Sequence, residues 1–213
     1  MDAGILPVKR LDKAKARLGA AFGEPQRVEI AGALLADAFD LCASVDFLTW
    51  WVVSDDDAVL AEAETRGFRT VSDPGRGLNA AVSAAIAVAR AEGAESASVI
   101  PVDVPLAWTG DIRDLLDTGA TSDVVVVPSR DGGTNALYLG PPDVMAPHFG
   151  EASLRTHIQE AERLGIRCSL LSLPRVELDI DTIEDVDAYL AQPKHATSRT
   201  NELLVRLRKA ARA

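Results

Sequence analysis

Short, mostly apolar runs alternate along this chain with longer segments that are apolar on one side only, and that alternation limits the fold more than any other feature. Gly4 to Val8, Leu48 to Val53, Phe68 to Val71, Ala97 to Val102, Val124 to Val127, Asn135 to Leu139 and Arg167 to Leu171 read as strands. Between Gln26 and Cys42, the residues Val28, Ala31, Leu34, Leu35, Ala38, Phe39 and Cys42 recur at helical spacing, behind a Pro25 suited to a first turn. Further helices are expected at Ala58 to Arg66, after the capping run Asp55-Asp56-Asp57, and at Leu78 to Arg90, Asp111 to Asp117, Glu151 to Leu164 and Thr182 to Leu190. Strands such as Val124 to Val127 have no polar face, so helices must cover both sides of the sheet. The pattern therefore predicts an α/β chain: a single-domain, three-layer sandwich around a mainly parallel sheet. In such sheets ligands gather outside the carboxyl ends of the strands.

The charge is unevenly placed. Over 213 residues the net charge is −10, yet Lys9, Arg10, Lys13, Lys15 and Arg17 face only Asp12 directly after the first strand. The last twenty residues set six Lys/Arg (Lys194, Arg199, Arg206, Arg208, Lys209, Arg212) against Glu202, which leaves −15 on residues 1–193. An anionic body repels phosphorylated compounds at long range, so any polyphosphate must be captured by local cations and by metal ions. Nucleic acid is not an expected partner, because phosphate-backbone binding needs a broad basic face. No run approaches the roughly 20 apolar residues of a membrane helix, and Asp2 stands where a secretory leader would be cationic. No membrane partner and a cytoplasmic location are expected. Cys42 and Cys168 lack the spacing of a metal site or disulfide framework and suit a core. The length suits one domain, taken as 1–192, followed by a basic tail at 193–213. The tail is either a helix whose stripe Leu203, Leu204 and Leu207 packs on an acidic partner or neighbouring subunit, or a frayed end.

The polar residues that follow the strands form a coherent set. Asp103 comes after the fourth strand, Ser129 to Thr134 after the fifth, and Asp179 and Asp181 lie two apart, on one side of an extended segment. Three carboxylates with no His or Cys beside them suit a hard cation such as Mg²⁺. Plainer roles exist: Asp181 could cap the following helix, and Asp103 could simply end a strand. Gly132-Gly133-Thr134 offers backbone N–H groups and a hydroxyl to an anion, and Gly150 to Ser153 offers a helix start, although Gly-Gly is more often merely a turn and a Ser in a first helical turn more often merely a cap. His148, His157 and His195 are scattered, with no Ser-His-Asp or Cys-His set, and His148 and His157 read as surface or packing residues.

Six stretches together carry a resemblance. They are Leu6-Pro7-Val8-Lys9 with Ala14 to Leu18, Arg76-Gly77-Leu78-Asn79-Ala80, Pro101 to Pro105, Gly132 to Leu137, Phe149 to Ser153, and Leu178-Asp179-Ile180-Asp181-Thr182. In order and spacing, from Ile5 to about Leu190, the chain resembles the guanylyltransferase family called CofC in archaea and FbiD in actinobacteria. The resemblance implies a glycosyltransferase-A-like nucleotidyltransferase fold. It also implies transfer of GMP from GTP to a small phosphorylated three-carbon acid, with release of pyrophosphate, in coenzyme F-420 biosynthesis. Phosphoenolpyruvate is the first choice of acid; 2-phospho-L-lactate and 3-phospho-D-glycerate differ from it by little.

By the same resemblance, Asp103, Asp179 and Asp181 would hold Mg²⁺. Thr134, Gly150 and Ser153 would bind the acid. Pro7, Val8, Lys9, Lys15, Arg17, Gly77, Leu78 and Asn79 would bind GTP, with Asp103, Lys15 and Arg17 at the chemistry. A homodimer, and hand-over of an unstable product to the next enzyme, complete that expectation. Three alternatives stay open. Molybdenum-cofactor nucleotidyltransferases share the fold but begin with a glycine-rich loop where Pro7-Val8-Lys9 stands here. Sugar-nucleotide transferases usually carry Asp-x-Asp after the fourth strand, where this chain has Asp103-Val104-Pro105. A GTP-binding regulator would bind without turnover.

Overall fold

The computed structural model describes residues 1–193 and 198–210, so His195 and Lys194 fall outside the described residues, as does Arg212. Among the described residues seven strands form one sheet, in the order β3-β2-β1-β4-β6-β5-β7. They are β1 (Asp2–Val8), β2 (Thr49–Ser54), β3 (Arg69–Ser72), β4 (Ser96–Val99), β5 (Val124–Pro128), β6 (Thr134–Leu139) and β7 (Cys168–Leu170). All neighbours pair in parallel except β6, which runs antiparallel to both β4 and β5. The expected mainly parallel, three-layer α/β fold is therefore present, with one reversed strand near its middle.

Successive residues of single strands feed opposite cores. Leu6, Trp50, Val52, Val125 and Val127 pack with α1 (Glu24–Ser44), α2 (Asp57–Thr65) and α4 (Thr109–Gly119). Ile5, Trp51, Val53, Val124 and Val126 pack on the other face with α3 (Leu78–Ala91) and α5 (Ser153–Leu164). Fully apolar strands are the direct result of this double coverage. Gly4 is required by it, since a Cβ there would lie 2.4 Å from the Trp50 ring.

Element ends differ from the sequence pattern where backbone chemistry intervenes. β4 stops at Val99 rather than Val102, because Pro101 has no N–H to donate, although Ile100 still donates to the Ile5 carbonyl at 3.0 Å. α5 begins at Ser153 rather than Glu151, because Ala152 sits at φ 54° and cannot join a right-handed helix. α4 extends beyond Asp111 at its start and beyond Asp117 at its end.

A third core lies beside the sheet. There α6 (Ile183–Ala191) and α7 (Arg199–Ala210) pack on α1 through Tyr189, Leu203, Leu204 and Leu207 against Ile30 and Leu34. The basic helix thus has an acidic partner within its own chain: Arg199 pairs with Asp40, Arg206 with Glu29, and Arg208 with Asp187 at 2.7 Å. Among the described residues no helix is long and apolar enough to cross a membrane.

Candidate active site

The carboxyl end of β1 opens into a cleft of about 490 Å³ whose walls include Pro7, Val8, Lys9, Gly77, Leu78 and Phe149. Because β6 runs in reverse, its first residues, Thr134 and Asn135, reach the same edge as the last residues of β1 and β4 and line the cleft too.

Three aspartates meet at this edge. A backbone bond brings them together: the Ile180 N–H donates to the Asp103 carbonyl at 2.9 Å. On either side of it, Leu178 and Ile180 are buried in the third core, which leaves Asp179 and Asp181 to face the cleft. One carboxylate oxygen from each of Asp103, Asp179 and Asp181 lies within 4.8 Å of the others. The loop before them is pinned by Arg175, whose guanidinium forks onto fully buried Asp111 at 2.6 and 2.9 Å. Asp181 does not cap the next helix. Thr182 and Asp185 form that box, with the Asp185 carboxylate also accepting the Asp181 N–H at 3.1 Å.

Lys15 enters this cluster from the cation-rich segment. Its Nζ donates to Asp103 at 2.7 Å and to Asp181 at 2.9 Å, with its side chain only 6% exposed. Burial disfavours its charge, but Asp103 and then Asp181 more than compensate, so its pKa rises above the usual lysine value. The backbone of Lys15 is left-handed, at φ 55°, a conformation that costs a non-glycine residue about 1 kcal/mol or more. Arg17 stays largely in solvent, 3.7 Å from Asp181. Asp179 is raised by its burial; the Asn135 amide, donating at 3.1 Å, opposes this, and the charges of Asp103 and Asp181 add to it.

Other expected site residues take different positions. Asn79 does not line the cleft; its side chain donates to the Phe149 carbonyl at 2.9 Å and accepts the Phe149 N–H at 2.7 Å. Gly150 and Ser153 follow Phe149 at the start of α5 and do not line the cleft; a backbone bond of 3.2 Å joins them, and Ser153 is buried. Of the two readings of Gly132-Gly133, an anion cradle or a turn, the turn is the one present. The Gly132 N–H donates to the Ser129 carbonyl and the Gly133 N–H to Asp131, so the turn consumes both. His157 is a packing residue, fully buried, 3.1 Å from the Thr134 hydroxyl.

Asn135 lines the cleft and His157 touches Thr134 there, whereas from sequence Asn135 was assigned no role and His157 only that of a surface or packing residue. Asn135 stood inside a quoted motif, next to Thr134, and its buried amide also donates to the Val176 carbonyl. The signal available for His157 was its place four residues after Ser153, one turn along the same helix.

Comparison with solved structures identifies the architecture. A protein of Desulfovibrio desulfuricans G20 described as a nucleotide-diphospho-sugar transferase superposes with a TM-score of 0.82 at 20% identity, covering 99% of this chain and 96% of that one. Among curated proteins, the phosphoenolpyruvate guanylyltransferase of Rubrobacter xylanophilus is 35% identical over 85% of this chain and 90% of its own length. The 2-phospho-L-lactate guanylyltransferase of Methanothermobacter thermautotrophicus is 33% identical over 96% and 90%. The 3-phospho-D-glycerate guanylyltransferase of Phenylobacterium zucineum is 32% identical over the whole of both chains. A family model described as guanylyl transferase CofC like matches residues 2–210, and on that match and these relatives the chain belongs to the CofC-like guanylyltransferases.

Proposed function

We propose that this protein transfers GMP from GTP to the phosphate of a small three-carbon acid, with phosphoenolpyruvate as first choice, and releases pyrophosphate on the way to coenzyme F-420. The observation that carries this reading is the meeting of Asp103, Asp179 and Asp181 around Lys15 at one edge of a cleft of about 490 Å³. Cavities of this order hold small ligands with most of their surface covered.

An oxygen of the acid's phosphate attacks the α-phosphorus of GTP; the new P–O bond replaces the one from that phosphorus to the oxygen bridging it to the β-phosphate, and pyrophosphate departs with the bridging oxygen. The attacking oxygen is ionised at neutral pH, so no general base is needed. The obstacle is repulsion between anions, about 1 kcal/mol per unit-charge pair at 4 Å in water and about 4 at an effective dielectric of 20. Lys15 is fixed beside the carboxylates, while Lys9 and Arg17 stand at the rim of the cleft, and together they offset charge on the triphosphate. Three carboxylate oxygens without His or Cys fit Mg²⁺, which Asp103, Asp179 and Asp181 would hold and which supplies further neutralisation when bound. Thr134, Gly150 and Ser153 are assigned to the acid, and Gly77 and Leu78 to the guanosine. The reaction is placed in the cytoplasm. A homodimer and direct hand-over of the labile product belong to the same reading.

The test pairs each nucleoside triphosphate with each of the three acids in Mg²⁺ and records pyrophosphate. Release with GTP and phosphoenolpyruvate is expected. Release only with another acid changes the acid and leaves the mechanism, whereas GTP binding without release from any pair overturns the reading.

A further inference from the structure

Three polar groups act on the His157 ring, the His148 N–H, the Thr134 hydroxyl and the Ser153 backbone, and the first of them fixes its protonation. The backbone N–H of His148 donates to Nε2 at 2.9 Å. A backbone N–H cannot accept, and a neutral imidazole carries a single N–H, so the proton lies on Nδ1. Burial first, and the neighbouring His148 second, push the His157 pKa down to about 4, so the ring is neutral near pH 7. Nδ1 stands 3.1 Å from the Thr134 Oγ1 and therefore donates to it. The Thr134 hydroxyl cannot donate back. Its own proton is left for an acceptor on another side, and Thr134 lines the cleft.

We propose that His157 is a positioning residue for the phosphorylated acid: by donating from Nδ1 to Thr134 it fixes that hydroxyl as a donor toward the anion bound in the cleft. The inference rests on assigning Thr134 to the acid. Three segments are tied by this one ring. It belongs to α5, it meets the first residue of β6, and it holds the loop at His148, where the Phe149 ring packs edge-on at 5.5 Å. An imidazole protonated on Nε2 instead would leave Thr134 donating into the protein and presenting only lone pairs to an anion.

Two near-isosteric variants separate the two sides of the ring. Asparagine can place an N–H near the Nδ1 position, and glutamine can place an acceptor near Nε2. H157Q, which keeps the acceptor for the His148 N–H and removes the donor to Thr134, should raise KM for the acid about tenfold, the usual effect of losing one hydrogen bond to a charged group. KM for GTP should change less than about twofold, and H157N should recover most of the lost acid affinity. In a T134V background, H157Q should add nothing further. Equal acid KM values for H157N and H157Q, or an undiminished H157Q effect in T134V, would overturn the inference. Nitrogen NMR of the intact protein gives a check independent of substrate: the Nδ1–H tautomer is expected for His157, and the Nε2–H tautomer sinks the idea even if both variants fail to fold. If no acid is turned over while the Nδ1–H tautomer is found, the functional reading has failed and not the geometry.

Discussion

At Asp179 the site works against the fold. Its burial and the nearby Asp103 and Asp181 raise its pKa despite the Asn135 hydrogen bond, so the ionised carboxylate destabilises the folded chain at neutral pH. D179N keeps an oxygen for the Asn135 amide and removes the charge. Without divalent metal, D179N should melt higher, by about 1 kcal/mol at most after discounting for partial exposure, or roughly 2–4 °C. Pyrophosphate release should meanwhile fall by about 100-fold or more, since a charge-stabilising group is lost. Calorimetry and turnover assays on one preparation would read both, and a lower melting point would refute the electrostatic account. His157 gives the opposite linkage. Its pKa is about 4 in the folded chain and about 6.5 in the unfolded one, so the unfolded chain takes up a proton first as pH falls. Stability from this group is therefore full above pH 6.5 and declines as pH drops to about 4, by up to about 3 kcal/mol. Urea midpoints across that window should fall less steeply for H157N than for the parent protein.

Helix α7 separates apolar from ionic contributions. Leu204 is fully buried against α1 and α6, and L204A should cost about 2–5 kcal/mol. Arg206 pairs with Glu29 in solvent, and R206A should cost less than about 1 kcal/mol. Thermal melts that rank these two the other way would mean that charge, not the Leu203, Leu204 and Leu207 stripe, holds the helix. That stripe was readable from sequence because helical periodicity is local; its partners were not, because Ile30 and Leu34 lie far earlier in the chain, in α1. The strands were readable for the same reason as the stripe. The ends of the elements were not, since a missing N–H at Pro101 after β4 and the left-handed backbone at Ala152 before α5 interrupt runs whose side chains favour continuation.

Over the whole molecule, sequence revealed which residues follow strands but not how the strands are ordered. Asn135 to Leu139 is apolar like its neighbours, and nothing local says that it runs backwards. The three aspartates were legible because each follows a strand or breaks an apolar alternation. Contacts across long separations were not: Lys15 meets Asp103 across 88 residues, and Asn135 meets Asp179 across 44. The antiparallel seam between β4 and β6 divides the sheet into β3-β2-β1-β4, which leads to the proposed guanosine and triphosphate contacts, and β6-β5-β7, which leads to the proposed acid contacts. Replacing residues 129–134 and 148–153 together by those of the Methanothermobacter thermautotrophicus relative should therefore shift acid preference toward 2-phospho-L-lactate and leave the choice of GTP unaltered, as competition assays would show. With nucleotide and acceptor assigned by this proposal to opposite flanks, one flank can drift while the other is held under selection, and a lineage can adopt a new acceptor without relearning its donor.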